Sequence, residues 1–131
     1  MQLSENFTLA ELTRSATADR LNIPNIPNEE QINNLWILCN NLLQPLRNAY
    51  GKPLLVSSGF RCAGLNRILN GSPTSDHLTG RAADILTDNP LALFALVCRL
   101  NLSYDQAIIY KTFIHLSYRN ETTNRKMVME R

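Results

Sequence analysis

A long stretch of the chain carries hydrophobic residues at the three- and four-residue spacing of an amphipathic helix. Asn28, followed by Glu29, Glu30 and Gln31, is a start signal for this helix, and Gly51 is placed to end it. Pro45 lies inside the stretch and should produce a kink, because proline lacks the backbone N–H that the helix needs. The apolar positions are Ile32, Leu35, Trp36, Cys39, Leu42, Leu43 and Leu46.

Shorter apolar runs on either side of further helices predict a small β-sheet. Thr8 and Glu11 form a capping box that starts a short first helix, residues 61–69 predict another, and Asn89-Pro90 opens a later one. The mixture predicts an α+β fold, with a small, mostly antiparallel sheet flanked by helices and residues 1–131 forming a single compact domain. The predicted strands are residues 54–58, 82–87, 106–110, 112–118 and 127–129.

Composition argues against several classes of protein. The chain has 131 residues, and no window approaches the roughly 20 apolar residues of a membrane span. A net charge of +2 is too small to favour nucleic acid, and the basic residues 119–131 are interpreted as solvated surface. Three cysteines without a paired spacing argue against disulfides and against a cysteine zinc site. The first residues lack the pattern of a secretory signal, so synthesis in the cytoplasm is expected.

The two histidines and one aspartate are the candidate chemical residues. His115 lies in an apolar strand, His77 follows a turn-forming stretch, and Asp84 interrupts a small apolar segment where an unpaired carboxylate would be costly to bury. Imidazole and carboxylate are zinc ligands, and three protein ligands with an open fourth position are typical of a catalytic site. Taken singly, each residue also fits a structural role: a hydrogen-bonded core histidine, or an aspartate that caps backbone N–H groups.

The spacing Ser75-x-His77-x-x-Gly80-x-Ala82-x-Asp84 resembles the zinc motif S-x-H-x-x-G-x-A-x-D. This motif is found in the family that unites D-alanyl-D-alanine carboxypeptidases with phage endolysin peptidases. The resemblance covers nearly the whole chain, is closest to the compact branch from phage and mobile elements, and implies the hedgehog/D-Ala-D-Ala peptidase fold. It extends to residues 7–12, 43–47, 57–61, 65–66, 105–106 and 114–117.

The resemblance implies roles for five residues. In that family the motif histidine and aspartate, with a histidine on a later strand, bind one zinc ion, and these match His77, Asp84 and His115. Arg61 matches an arginine placed near the substrate carboxylate, which suits a guanidinium fork, although an ordinary ion pair is equally expected. Ser75 matches the motif serine at the substrate.

One family element is missing from this sequence. Many members carry Glu or Asp three residues before the final histidine, where this chain has Thr112, and a zinc peptidase needs a proton acceptor near the metal. Asp105 is the first candidate for this general base, with a cap at a strand end as its structural alternative. Asp76 is a weaker candidate, and Tyr110 could donate a hydrogen bond to an oxyanion.

These features lead to the expectation of a zinc-dependent metallopeptidase that hydrolyses peptidoglycan stem peptides, as a carboxypeptidase or an endopeptidase. The alternative is a catalytically impaired, zinc-containing module that binds cell-wall peptide. A purely structural zinc site is less attractive, because such sites usually have four protein ligands, commonly cysteine. We expect a monomer without nucleic-acid or membrane partners that acts at the cell wall after release.

Overall fold

The computed structural model describes residues 1–131 as an α+β fold, which confirms the predicted fold class. The helices are α1 (Leu9–Thr13), α2 (Ala16–Arg20), α3 (Glu29–Leu38), α4 (Gln44–Tyr50), α5 (Ala63–Ile68) and α6 (Pro90–Arg99). The strands are β1 (Gln2–Ser4), β2 (Phe7–Thr8), β3 (Leu55–Ser58), β4 (Ala82–Leu86), β5 (Gln106–Ile109), β6 (Phe113–Ser117) and β7 (Met127–Glu130). None of the helices is long and apolar enough to span a membrane.

The predicted capping box at Thr8 is present, and the predicted helix start at Asn28 also forms a capping box. The backbone N–H of Glu11 donates to Thr8 Oγ1 at 3.2 Å, and the Glu11 carboxylate accepts from the Thr8 backbone N–H at the same distance. Asn28 and Gln31 make the reciprocal pair at 2.8 Å in each direction. These bonds satisfy backbone donors that have no partner inside the helix, so each helix begins where its local sequence provides a partner.

The helical segment that contains Pro45 changes its hydrogen-bond pattern before the proline. Between α3 and α4, residues Cys39–Leu43 form a π-helical turn. Proline cannot donate a backbone hydrogen bond, and a π-helical turn is one of the local irregularities by which a helix accommodates such a gap. Gly51 ends α4 in the left-handed conformation, with φ of 79°, as predicted.

The larger sheet has the strand order β3-β4-β6-β5-β7. Every pairing is antiparallel except that of β5 with β7, which is parallel. One face of the sheet packs on the helices through apolar residues of alternate positions, and the opposite face carries the more polar set. The inward positions of the central strands are Ala83, Ile85, Ala107, Ile109, Ile114 and Leu116.

Three short elements were not predicted from the sequence. They are the β1–β2 hairpin, helix α2, and a 3₁₀ turn at Asp76–Thr79. The 3₁₀ turn matters for the site because it carries the motif histidine. Helix α3 holds this turn in place: Gln31 Nε2 donates to the Leu78 carbonyl at 3.2 Å, and Asn34 Nδ2 donates to the Thr79 carbonyl at 2.9 Å.

Gly80 ends the 3₁₀ turn and lies directly against α3. Its φ is 77°, and a Cβ atom at this position would lie 2.5 Å from the Gln31 carbonyl oxygen. A side chain would therefore suffer both left-handed backbone strain and a collision with rigid helix backbone. The glycine of the motif is required by geometry, because it lets the turn reach the helix.

We expect Gly80→Ala to lower the free energy of unfolding by about 1–3 kcal/mol. Gly64→Ala is the matched control, because Gly64 lies in α5 with open space where a Cβ would be, and should change stability by less than about 1 kcal/mol. Urea denaturation in the presence of a chelator measures both without a contribution from metal binding. Equal stability of the two variants would contradict this account of Gly80.

Candidate metal centre

Asp84 and His115 are direct neighbours across two strands. They are paired positions of β4 and β6, so both side chains project from the same face of the sheet. His115 Nδ1 lies 2.9 Å from Asp84 Oδ1. At this distance a protonated nitrogen donates a hydrogen bond to the carboxylate, or both atoms can bind one cation. The pairing register therefore brings together two residues that are 31 positions apart in the chain.

His77 reaches the same carboxylate oxygen from the 3₁₀ turn. Its Nε2 lies 3.3 Å from Asp84 Oδ1, and its Nδ1 lies 2.6 Å from the Gly59 carbonyl oxygen. Because a carbonyl can only accept, Nδ1 carries the proton and donates it to Gly59. The lone pair of the neutral ring is then on Nε2, which faces Asp84 and His115. A hydrogen bond of this kind is the usual orienting contact behind a metal-binding histidine.

The three side chains fit a tetrahedral zinc ion in both chemistry and spacing. Their candidate ligand atoms all lie within 4.8 Å of one another. Two ligands each about 2.0–2.1 Å from a tetrahedral zinc would be about 3.3 Å apart, and the measured separations from Asp84 Oδ1 are 2.9 and 3.3 Å. His77, Asp84 and His115 are only 3%, 7% and 8% exposed. They provide three protein ligands, the number typical of catalytic zinc sites.

The Asp84 carboxylate is the electrostatic centre of the cluster. Burial raises the pKa of Asp84, but the interactions of its carboxylate with His115 and His77 outweigh burial and hold this pKa well below its usual range. The second oxygen, Oδ2, lies 3.5 Å from Arg61 Nη2. The carboxylate is thus ionised although it is almost completely removed from water, as a metal ligand must be.

A β-bulge positions Arg61 beside the cluster. The register of β3 against β4 shifts between Val56 and Ser58, so that two residues of β3 oppose Asp84. Ser58 then accepts from Arg61 Nε at 3.0 Å, and Asn66 accepts from Arg61 Nη1 at 3.3 Å. With Nη2 directed at Asp84, each guanidinium nitrogen has a protein partner. Arg61 therefore makes the ion pair expected as its structural alternative, and it also lines the cleft described next.

A cleft of about 600 Å³ opens onto the cluster, and several predicted residues line it. Ser75 lines this cleft and accepts a hydrogen bond from the His77 backbone N–H at 3.2 Å, which starts the 3₁₀ turn. Tyr110 also lines it, with its ring stacked on Phe113 at 4.2 Å between centroids. Asp76 and Asp84 are the carboxylate residues of the lining.

Asp105, the first candidate for a general base, is not brought to the cluster. It is fully buried and does not line the cleft. Its Oδ1 accepts from Arg125 Nε at 2.9 Å and from the Arg125 backbone N–H at 3.1 Å, and its Oδ2 accepts from Arg125 Nη2 at 2.8 Å. Arg119 Nε lies 3.2 Å from the same Oδ2. Both oxygens are therefore occupied by arginine, which does not support proton transfer at the metal.

The hydrogen bonds to Asp105 lower its pKa. The side-chain hydrogen bond from Arg125 is the largest cause of the lowering, burial opposes it, and the charges of Arg119 and Arg125 add to it.

Thr112, which stands at the position of the family acid, is exposed and does not line the cleft. The candidate metal-binding group contains no cysteine, and Cys39, Cys62 and Cys98 are free thiols.

Sequence reasoning missed the residues that support the ligands. The Gly59 carbonyl, Ser58 and Asn66 fix His77 and Arg61, yet nothing in their own spacing indicates these contacts. Gly59 also makes a close approach: a Cβ there would collide with the Leu12 carbonyl of α1, and the Phe60 N–H donates to that same carbonyl at 2.7 Å. The available signal was that residues 57–61 and 65–66 resemble family segments.

Comparison with known proteins supports the resemblance inferred from the motif. A family model described as Peptidase M15 matches residues 5–117, which is most of the chain and includes all three candidate ligands. No curated protein matches the chain.

We expect Asp105→Asn to destabilise the protein by about 1–3 kcal/mol at pH 7, because two arginines lose their shared carboxylate. The folded-state pKa of Asp105 lies below its unfolded value of about 3.9. Its contribution to stability is therefore complete above about pH 4 and is lost as the pH falls through the folded-state pKa. Urea denaturation at pH 7, 5 and 3 should show the difference from wild type shrinking at the lowest pH.

Asp88→Asn is the matched control for this comparison, because Asp88 is exposed and makes no ion pair. It should leave stability within about 0.5 kcal/mol of wild type at pH 7. A stable Asp105→Asn variant with normal zinc content and strongly reduced turnover would instead restore Asp105 as the general base.

Proposed function

Because this chain belongs to the Peptidase M15 family, we propose that it is a zinc-dependent peptidase that hydrolyses peptide bonds in the stem peptides of bacterial peptidoglycan. The observation that carries the proposal is the convergence of His77, Asp84 and His115 at the floor of one cleft. We further propose that residues 1–131 act as a single-domain monomer, which reaches the cell wall after release from the cytoplasm.

The metal ligands of the proposed centre are His77 Nε2, an oxygen of Asp84 and a ring nitrogen of His115. Zinc, when bound there, supplies a Lewis acid that lowers the pKa of water toward about 7 and polarises a carbonyl group. The Gly59 carbonyl keeps His77 in the tautomer that presents Nε2. Arg61 holds the second oxygen of Asp84, so that the carboxylate cannot rotate freely.

The cleft residues supply the peptide contacts in this proposal. Arg61 is cationic, lies next to the candidate ligands and can face a substrate carboxylate. Ser75 can donate its hydroxyl proton to a peptide carbonyl while its oxygen caps the 3₁₀ turn. Tyr110 can donate a hydrogen bond to an oxygen that gains negative charge during attack.

Asp76 is the carboxylate that can serve as proton acceptor in this arrangement. It is half-buried, it lines the cleft and it adjoins the His77 ligand in the 3₁₀ turn. Asp84 is committed to the metal group, and both oxygens of Asp105 are bound by arginine. We therefore propose Asp76 as the group that takes a proton from the attacking water and returns it to the leaving amine.

The second candidate function is a zinc-containing module that binds cell-wall peptide without cleaving it. Two observations favour it: Thr112 replaces the family acid and is exposed outside the cleft, and Asp105 is engaged by arginines. The cleft and the metal group would then serve recognition alone. The role of Asp76 distinguishes the two functions, because a peptidase needs a proton acceptor and a binding module does not.

We expect the zinc-loaded protein to release zinc-dependent products from defined stem peptides, measured by mass spectrometry beside a chelated sample. The product masses identify the bond and so distinguish a carboxypeptidase from an endopeptidase. His77→Ala and His115→Ala should each lose most of the bound zinc and at least about 100-fold in kcat/KM, because each removes one of three ligands. Asp88→Asn serves as the control and should retain both zinc and activity.

The Asp76→Asn variant should retain zinc, and its turnover should fall about 100-fold or more, the usual contribution of general acid–base catalysis.

If the protein contains zinc and binds the stem peptides but leaves them uncleaved, the non-catalytic module is supported. Unchanged zinc content in both histidine variants would exclude the proposed metal centre.

Arg61→Lys tests whether this arginine binds substrate or only orients Asp84. Lysine keeps the charge but cannot maintain three directed contacts. If Arg61 grips a substrate carboxylate, the zinc-saturated variant should show KM raised about tenfold with kcat nearly unchanged. If Arg61 only orients Asp84, zinc affinity should fall and the KM of the zinc-saturated variant should equal that of wild type.

A further inference from the structure

Arginine side chains dominate the charge of the cleft. Arg61, which follows β3, lines one side of the cleft. Three more arginines line the cleft from the segment that follows β6. This segment, residues 118–131, lies outside the stretch matched by the family model. We name its three cleft arginines the arginine wall: Arg119, Arg125 and Arg131.

The wall is a fixed part of the fold, although residues 119–131 are mostly exposed, in agreement with their interpretation as solvated surface. Strand β7 pairs in parallel with β5 along its whole length. At one end of β7 the Met127 N–H donates to the Asp105 carbonyl at 2.9 Å, and beyond the other end the Arg131 N–H donates to the Ile109 carbonyl at 2.8 Å. The basic segment is therefore held as the edge strand of the sheet.

Asp105 orients the wall without neutralising it. This fully buried carboxylate binds Arg125 through two nitrogens and Arg119 through one. Asp105 and Asp76 are the carboxylates whose charges act on Arg125, and two carboxylates cancel only two of the three guanidinium charges of the wall, so a positive charge remains. Both arginine side chains are still 42% exposed, and neither the Arg125 Nη1 atom nor the terminal nitrogens of Arg119 have a protein acceptor. These N–H groups remain free for a ligand.

The strand order places the wall and Arg61 on opposite sides of the candidate metal ligands. Asp84 and His115 lie on β4 and β6, with β3 beyond one and β5 and β7 beyond the other. Neighbouring strands are about 4.8 Å apart, so β7 lies roughly 10 Å from β6. An extended peptide advances about 3.3 Å per residue. A peptide that crosses the sheet would therefore bring a residue two or three positions from the scissile bond to the wall.

We propose that the arginine wall is a binding subsite for a second carboxylate of the peptide substrate, two or three residues away from the bond that is cleaved. The subsite rests on the proposed peptidase function and makes acidic peptides the preferred substrates. A guanidinium group pairs with carboxylate bidentately, and Asp105 fixes the orientation of the two forks before a ligand arrives. The cleft thus selects its peptide by negative charge at a defined distance from the metal group.

The test uses two stem peptides that differ only in whether the acidic residue two or three positions from the cleaved bond is free or amidated. Calorimetry with the zinc-loaded protein measures binding, and mass spectrometry measures kcat/KM for each peptide. We expect the acidic peptide to be preferred about tenfold in both measurements at 50 mM salt. The preference should fall at 500 mM salt, because exposed charges are screened.

Two wall variants and one control locate the preference. Arg119→Gln and Arg131→Gln should each reduce the ratio between acidic and amidated peptide to about threefold or less. Arg131 makes no ion pair, so its substitution leaves the contacts of Asp105 intact. Arg99→Gln is the control, because Arg99 is exposed on α6 and does not line the cleft, and it should leave the ratio unchanged.

The outcomes separate this subsite from the peptidase function. Equal binding and cleavage of the two peptides would overturn the subsite and leave the peptidase intact. Charge-dependent binding that requires Arg119 and Arg131, without cleavage, would support the subsite and overturn the peptidase. If neither peptide binds, or if inorganic phosphate binds the wall while the peptides remain indistinguishable, the carboxylate subsite is wrong.

Discussion

The burial of the Asp84 carboxylate is the constraint on which the rest of the site depends. An ionised group that is 7% exposed must be compensated by opposite charge and by hydrogen-bond donors. His115 supplies one donor across the strand pair, Arg61 approaches the second oxygen, and the Nε2 atom of His77 lies 3.3 Å from the first oxygen. Burying this carboxylate in an apolar core without partners would cost free energy. The same need for positive charge makes it a suitable ligand for a cation.

The supports of this carboxylate tie distant parts of the fold together. The Gly59 carbonyl orients His77, and Gly59 itself lies against α1 because no side chain separates them. Helix α3 holds the 3₁₀ turn that carries His77, and Gly80 packs against the same helix. A disturbance in either helix would therefore reach the candidate ligands. This explains why residues far from the chemistry, including Leu12 and Gln31, contribute to the geometry of the cleft.

A second set of charges, Asp105 just before β5 and Arg119 and Arg125 in the segment between β6 and β7, has a different role. Asp105 looks from its sequence neighbours like a catalytic acid, yet it is fully enclosed and serves to hold Arg119 and Arg125. Asp84 thus belongs to the candidate metal centre, whereas Asp105 belongs to the arginine wall, the proposed subsite for substrate binding. Each carboxylate has its own arginine partners. Substitutions in one set should leave the other largely intact, because no ion pair or hydrogen bond joins Asp84 to Asp105 or to its two arginines.

The sequence by itself determined the main helices, the core strands and the three candidate ligands. Capping boxes, Gly51 and hydrophobic periodicity act over a few residues, so the helix starts at Thr8 and Asn28 and the core strands were predictable. His77, Asp84 and His115 were predictable because a polar residue in an apolar segment, at a motif spacing, is a local signal. The tertiary structure alone decided the surroundings: the β3 bulge, the parallel β7 edge, the Gly59 carbonyl behind His77 and the arginines around Asp105. These depend on strand register and on contacts between residues many positions apart, which local sequence does not encode.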